Sequence, residues 1–423
     1  MRLLARAPDD VARNVRRLSI AQLISSTGDL AAMIALIAVV YARTGESGAW
    51  LTAALVGSFA VNLAVGPLAG ALGDRFDRRA VMVASDLTAA AAFVGLATVH
   101  RPLALVGLAL LAAAAEAPFG PAASAQLPMM VPEGELVSAR ARLAAAAGAG
   151  SVLGAVIGGA LVASVGAPTT FLINAASFVV SATLALRVTG GPYRAQRSTE
   201  RDHRGLWAGV RLVARESPLR LTVASVGLGF LGAGMLNLAE FPLIVHLGGG
   251  SLAWGTAAAG WGVGRVVGAR LSRRTRGVLL ERRVLVAGRL VMGLGTVACG
   301  LAPSVPAVVV LFFFLGAAAT ASMTAANLVI QRWTPDPVRA RCFAVLGSVS
   351  SASLGLAIVV AGVLLKPIGP DMVFVVGGSI ALLGVLPSMR LPPRKQPTRP
   401  MPEPVPSNPR PRSRDSLLAP LPV

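Results

Sequence analysis

The sequence predicts an all-α integral membrane protein of twelve transmembrane helices, arranged as two pseudo-symmetric six-helix bundles. Three observations carry that expectation. The 423 residues are 54% hydrophobic and only 14% charged, with a mean hydropathy of +0.69, where a soluble chain would be about 25% charged. Apolar stretches of the length that crosses ~30 Å of hydrocarbon, about 20 residues, recur from Leu18 to Met389. Segments of the first half also return in the second at a nearly constant offset.

This composition excludes a soluble enzyme, a disordered chain and a disulfide scaffold. The net charge of +20 is no nucleic-acid signal, because the basic residues sit in short clusters between apolar stretches and leave no basic–aromatic face for bases. Cys299 and Cys342 are isolated, giving neither a disulfide framework nor a metal cluster. His100, His203 and His246 lie far apart, so no structural metal site is expected. No phosphate-binding Gly-x-x-x-x-Gly-Lys loop and no nucleophile–base arrangement is present, so neither an enzyme nor direct ATP drive is expected.

The first six candidate spans lie near 18–42, 49–72, 80–99, 102–130, 138–164 and 167–187. The second six lie near 219–246, 251–271, 283–301, 304–331, 340–365 and 371–389. The first is no cleavable signal peptide: it runs some two dozen residues and ends in Val40-Tyr41-Ala42-Arg43 rather than a small-residue cleavage site. The expected organisation is therefore a cytoplasmic N-terminal arm (1–17), a first six-helix bundle (18–187), a cytoplasmic connection (188–218), a second bundle (219–389) and a disordered cytoplasmic tail (390–423). Within the connection, Leu206, Val210 and Val213 recur at helical spacing, which suits an amphipathic helix on the membrane face. The tail is crowded with proline and arginine and can neither form a helix nor bury apolar area.

Lys and Arg are retained on the cytoplasmic side. With the N-terminus inside and twelve crossings, 34 of them fall on the inner side, against Arg43, Arg101 and Lys366 outside and Arg265 and Arg289 within spans. One spurious span would destroy that asymmetry. Both termini are thus expected in the cytoplasm of a cell bounded by this inner (plasma) membrane.

The repeat is explicit. Gly66-x-x-x-Gly70-Ala71-x-x-Asp74-Arg75 ends the second span, and Gly264-x-x-x-Gly268-Ala269-x-x-Ser272-Arg273 ends the eighth. Arg140-Ala-Arg142 opens the fifth span, and Arg339-Ala-Arg341 precedes the eleventh. A duplicated six-helix unit follows, of the kind transporters use.

Gly70-Ala-Leu72-Gly-Asp74-Arg75-Phe-Asp77-Arg78-Arg79 resembles the cytoplasmic signature of the major facilitator superfamily, Gly-x-Leu-x-Asp-Arg-x-Gly-Arg-Arg, with Asp77 where glycine is usual. That departure, Ser26-Thr-Gly28-Asp29 and Pro118-Phe-Gly-Pro121-Ala122 are similar to the macrolide-efflux and enterobactin-exporter branch of drug:proton antiporters. The resemblance implies the major facilitator fold, and a gating role for Gly70, Asp74, Arg75, Arg78 and Arg79 as an inner latch; plain positive-inside anchoring is the alternative for the arginines. Gly150-x-x-x-Gly154-Ala155-x-x-Gly158-Gly159 resembles the antiporter signature, with Ala155 in place of its proline. Small residues at that spacing also let helix backbones approach closely.

Carboxylates inside spans are costly, about 2.5–3.5 kcal/mol on insertion scales, and usually face a cavity or a partner. Asp29, Glu116 and Glu240 are the candidates for proton coupling or substrate binding, since a desolvated carboxylate exchanges a proton for a cation; the alternative for each is a neutral or paired structural role. Asp86 reads as structural. Arg265 and Arg289 each have two readings, pairing with Glu240 or Asp29 or snorkelling toward the cytoplasm; the deeper Arg265 favours pairing and Arg289 favours snorkelling. Asn62, Gln126, Asn174, Asn237 and Asn327 are candidate polar groups of a cavity, and Trp254 and Trp261 read as packing or interface anchors.

The expected function is a secondary active transporter, a proton-coupled exporter of an amphipathic small molecule such as a drug or antibiotic, working by alternating access. No cofactor is expected, the proton gradient being the energy source. The expected partners are the small-molecule substrate, protons and the lipid bilayer, with no nucleic acid, and a monomer suffices. The alternatives are a narrow-specificity siderophore or metabolite exporter, an importer of the same fold, or a non-transporting membrane scaffold or sensor. Scarce aromatics, 5% of residues, count against a promiscuous cavity.

Overall fold

Where water is absent, backbone N–H and C=O groups are satisfied within helices or closed barrels. The computed structural model describes residues 8–45, 47–58, 60–61, 76–188, 206–272, 278–334 and 336–392, and every regular element among them is a helix. Asn62, Gly70, Asp74 and Arg75, and the tail from 393, lie outside the described residues.

In the first half, α1 (Pro8–Arg43) begins ten residues before the expected span and is followed by α2 (Gly48–Ser58), α3 (Arg78–Thr98), α4 (Pro102–Glu116), α5 (Phe119–Met130) and α6 (Glu133–Leu186). The connection carries α7 (Leu206–Arg215). The second half holds α8 (Ser217–Gly234), α9 (Leu236–His246), α10 (Ser251–Ser272), α11 (Val278–Gly300), α12 (Val305–Trp333), α13 (Asp336–Leu383) and the short α14 (Val385–Met389).

Among the described residues, seven helical segments are long and apolar enough to cross a membrane, α8 with α9 counting as one. Twelve spans were expected, and the difference has local causes. Two of the seven, α6 and α13, each hold two expected spans, divided at Gly166 (φ 81°, ψ 168°) and Gly369 (φ 77°, ψ 164°). Only glycine enters that region without strain. Pro168 and Pro370 then stand in the first turn of the helix that follows, where a missing N–H costs nothing. The other three expected spans fall on α2, on α4 with α5, and on α10. Pro118 divides α4 from α5, having no N–H to continue the ladder. The glycines and two arginines of α10 lower its hydropathy.

Glycines set the packing between helices. A Cβ on Gly154 or Gly158 would overlap α1 at Thr27 or Ala31, and one on Gly150 would stand 2.5 Å from the Leu23 carbonyl oxygen. Gly159 turns the other way, 2.5 Å by the same measure from the Ser251 carbonyl oxygen of α10. Gly48 of α2 and Gly362 of α13 meet in the same backbone-to-backbone manner, and Thr52 donates to the Ile358 carbonyl at 3.5 Å. The antiporter-like glycines are thus the seam that holds α6 against α1 and α10.

Among the described residues, these contacts join the two halves at one end. At the end bearing Gly45, Gly166, Gly248 and Gly369, one apolar core runs through both halves, from Ile37 and Leu51 to Phe241, Trp254, Ile358 and Phe374. At the opposite end the core is divided. Val15, Met82, Leu127 and Ala139 cluster within the first half, and Leu219, Leu285, Ile330 and Leu346 within the second. Around the outside, large apolar side chains such as Leu103 and Val363 are at least 70% exposed, as lipid-facing residues are.

The seam gives a sharp expectation. Gly158→Val forces a branched side chain into the α1 backbone and should destabilise the protein by about 1–3 kcal/mol, read as a lower melting temperature in detergent. Gly148→Ala, on the same helix but facing open space, should leave the melting temperature unchanged.

Candidate functional site

Because the halves touch at one end and separate at the other, a cavity of about 750 Å³ lies between them. Its first-half wall is Leu30 of α1 and Ala145, Gly148, Ala149, Ser151 and Val152 of α6. Its second-half wall comes from the end of α8 and from α9, α10 and α12, including Ala233, Asn237, Glu240, Trp261, Arg265 and Phe312. Across the α6–α10 boundary the gap widens steadily. Gly159 meets Ser251 and Ala155 meets Gly255, whereas Ala145 and Gly148 face the cavity with Val266 and Ala269. The cavity therefore opens toward the end that carries Arg140, Arg142, Arg339 and Arg341 and is shut at the end that carries Arg43, Arg101 and Lys366. A second cavity of about 430 Å³ adjoins it within the second half, sharing Ala233, Asn237, Trp261, Arg265 and Thr320 and adding Arg289, Thr324 and Asn327.

Glu240 is on the cavity wall. It accepts a hydrogen bond from the indole N–H of Trp254, a residue 1% exposed. Phe241 beside it packs on Trp254 with centroids 5.0 Å apart and edge-on to Tyr41 at 5.6 Å. The carboxylate thus stands where the open cavity meets the sealed apolar core.

The other two candidate carboxylates are elsewhere. Asp29 and Glu116 do not line either cavity. They lie within electrostatic reach of one another and of Asp86, inside the first-half bundle. Asp29 Oδ2 accepts from Ser25 at 3.3 Å, while Oδ1 is buried without a hydrogen-bond partner. Asn174, fully buried on the second part of α6, faces Asp29, and its Nδ2 also has no partner. Asp86 is 2% exposed and faces Ser181. Its neighbour Ser85 donates to the Ala115 carbonyl, tying α3 to the turn that presents Glu116. Among the described residues none of the three is ion-paired. Asp86 therefore stands beside the two candidate carboxylates. An acid in the middle of an apolar span was the available signal; its partners, on three other helices, were not visible in sequence.

Further expectations are corrected. Arg265 pairs with neither Glu240 nor Asp29; it stands exposed in both cavities. Arg289 does not snorkel. It is 5% exposed, lines the smaller cavity, and occupies the space that Gly229 leaves on α8, where a Cβ would overlap the guanidinium. Gln126 and Asn174 are buried between first-half helices and line neither cavity, whereas Asn237 and Asn327 do. Trp261 is cavity wall, packed near Phe312 with centroids 6.2 Å apart. Of the loop signature, Arg78 and Arg79 open α3, and Asp77 caps it by accepting from the Arg79 N–H at 2.8 Å. The departure from glycine there has a structural use, an N-cap.

The sequence profile of the transmembrane secretion effector family matches residues 10–409. The chain belongs to that family, which is of the major facilitator type. The multidrug efflux pump Tap of Mycobacterium tuberculosis (strain ATCC 25618 / H37Rv) is 29% identical over 381 residues, covering 84% of this chain and 87% of that protein. The MFS-type transporter YfiS of Bacillus subtilis (strain 168) is 24% identical over 379 residues, covering 86% and 89%. Among solved structures, the nucleoside transporter NupG aligns with a TM-score of 0.71 at 13% identity over 89% of this chain and 98% of that one. A bacterial homologue of the lysosomal transporter Spinster gives 0.65 at 16% identity over 90% and 95%. The protein is a multi-pass membrane transporter with the major facilitator fold, and not an enzyme.

Trp254→Phe should remove the donor to Glu240 and destabilise the protein by about 1–3 kcal/mol, the cost of stranding a buried acceptor. In the Glu240→Leu background, where no acceptor remains, the same change should cost measurably less, because the two side chains act as a pair. Thermal melts of the four proteins of that cycle check it.

Proposed function

We propose that this protein exports an amphipathic small molecule across the cell membrane, driven by the proton gradient, with both termini and the open end of the cavity in the cytoplasm. The observation that carries the reading is the cavity itself. It is open at the arginine-rich end and sealed at the other by an apolar core, with Glu240 at the boundary between them. By the positive-inside rule, the open end faces the cytoplasm, where an export substrate is collected.

Glu240 and the Asp29–Asp86–Glu116 cluster are the groups proposed to exchange protons during the cycle. Three carboxyls held together inside the bundle, with no ion-pair partner among the described residues, repel one another when ionised, so proton occupancy accompanies any rearrangement of α1, α3 and α4. Glu240 touches the cavity, so a cargo cation and a proton compete there directly. In the opposite state the two halves would close on Arg140–Arg142 and Arg339–Arg341 and part at the α6–α10 and α2–α13 seams. Asp74, with Arg75, Arg78 and Arg79, is proposed to latch that closure. Tap, 29% identical to this chain, is a multidrug efflux pump, which supports a drug-like cargo here.

Energised cells expressing the protein should expel ethidium and macrolides, and a protonophore should stop the efflux. Glu240→Gln, and separately Asp29→Asn or Glu116→Gln, should reduce efflux to the level of cells lacking the protein while membrane abundance is retained. Efflux that survives all three substitutions would remove these carboxylates from the coupling. Asp74→Asn should slow turnover without loss of insertion; wild-type transport in that variant would sink the latch.

A further inference from the structure

The smaller cavity has an unusual wall. Among the described residues it is lined by two guanidiniums, Arg265 and Arg289, and by no carboxylate. Arg289 is 5% exposed, and its Nε is buried without a hydrogen-bond partner. Among the described residues neither arginine has an ion-pair partner. A buried cation left unpaired is costly, and a fold that keeps one facing a cavity has a use for it. Around the pair stand further donors, Asn327 and the hydroxyl of Thr320, while the Thr324 hydroxyl is spent on the Thr320 carbonyl at 2.8 Å. The guanidinium is held in place by shape: Gly229 leaves the gap it fills.

We propose that this cavity is an oxyanion subsite, in which Arg289 and Arg265 hold a carboxylate- or phosphate-like group carried by the transported molecule. Guanidinium forks match such groups with paired, charge-assisted hydrogen bonds. The rest of the cargo then lies in the larger cavity against Trp261 and Phe312, with any cationic portion near Glu240. The cargo class so added is an amphipathic anion or zwitterion, beside the cations that Glu240 alone can hold. The inference rests on the export reading above and adds this class to its substrates.

The test uses the full-length protein in nanodiscs of phosphatidylcholine, with 2-naphthoate as probe, its uncharged amide as control, and inorganic phosphate as a third arm. Naphthoate should raise the melting temperature and the amide should not. Arg289→Gln and Arg265→Gln should each weaken naphthoate binding about 10–100-fold, the loss expected for a charged hydrogen bond. Gly229→Ala, which keeps both charges but displaces the Arg289 guanidinium, should weaken it too. Without ligand, Arg289→Gln should melt no lower than the parent; a drop would overturn the proposal by showing that the guanidinium holds the fold together. Equal stabilisation by acid and amide, or binding indifferent to all three substitutions, would also overturn it. So would an arginine-dependent rise produced by phosphate alone, or by replacing phosphatidylcholine with phosphatidylglycerol, which would assign the site to an inorganic ion or a lipid headgroup. Ethidium efflux in cells separates this from the export reading. Protonophore-sensitive efflux without arginine-dependent binding keeps the exporter and removes the subsite, and the reverse result keeps the subsite and removes the exporter.

Discussion

Close backbone contact at one end of the molecule governs everything else in it. Gly159 against Ser251 and Gly255, and Gly48 against Gly362, bring α6 to α10 and α2 to α13 at distances that no side chain would permit. Between these two seams Tyr41, Phe241 and Trp254 fill one continuous apolar core. Among the described residues nothing equivalent joins the halves at the other end, where each has its own core. Two helical units fixed at one end and free at the other enclose a wedge, and the cavity is that wedge. Since the seams rest on van der Waals contact between small residues and not on ionic locks, separating them costs little beyond dispersion and the wetting of an apolar surface. That property suits a contact that must open and close.

Charge is distributed as unevenly as packing. The first half keeps three carboxyls away from the cavity, inside the bundle, braced by Ser25, Asn174 and Ser181. The second half presents its ionisable groups to the cavity: Glu240, Arg265 and Arg289. In the proposed cycle the two units take different tasks: the carboxyl cluster responds to protons through helix packing, and the arginine-lined wall touches cargo. Gly229 shows how small the difference need be, since one absent side chain makes room for a buried guanidinium.

Several features were legible because they depend on local chemistry. Gly166 and Gly369 divide long helices where a positive φ admits only glycine, and the expected span boundaries fall beside them. The spacing of Gly150, Gly154 and Gly158 announced close packing. Glu240 stood out as an acid in an apolar stretch and is on the cavity wall. What could not be read were partnerships across helices. Arg265 and Arg289 look alike in sequence, one cation each in an apolar span, and snorkelling is the economical guess for the one nearer an arginine cluster. Arg289 stays buried because α8 offers a gap at Gly229, a fact of how α8 and α11 face one another. Asp86 likewise gained its meaning only when α3 was set beside α1 and α4.

The amino-acid sequence by itself determined that this chain is a helical membrane protein with a duplicated core and a transporter's signatures. Hydropathy, helix-breaking residues and charge asymmetry act within about 20 residues of chain and need no tertiary context. Tertiary structure alone decided which end is sealed, which polar residues meet the cavity, and which carboxyls share a site. Those outcomes depend on the rotation of each helix about its axis and on which neighbour it meets. A single helix with apolar residues on every side carries no record of either.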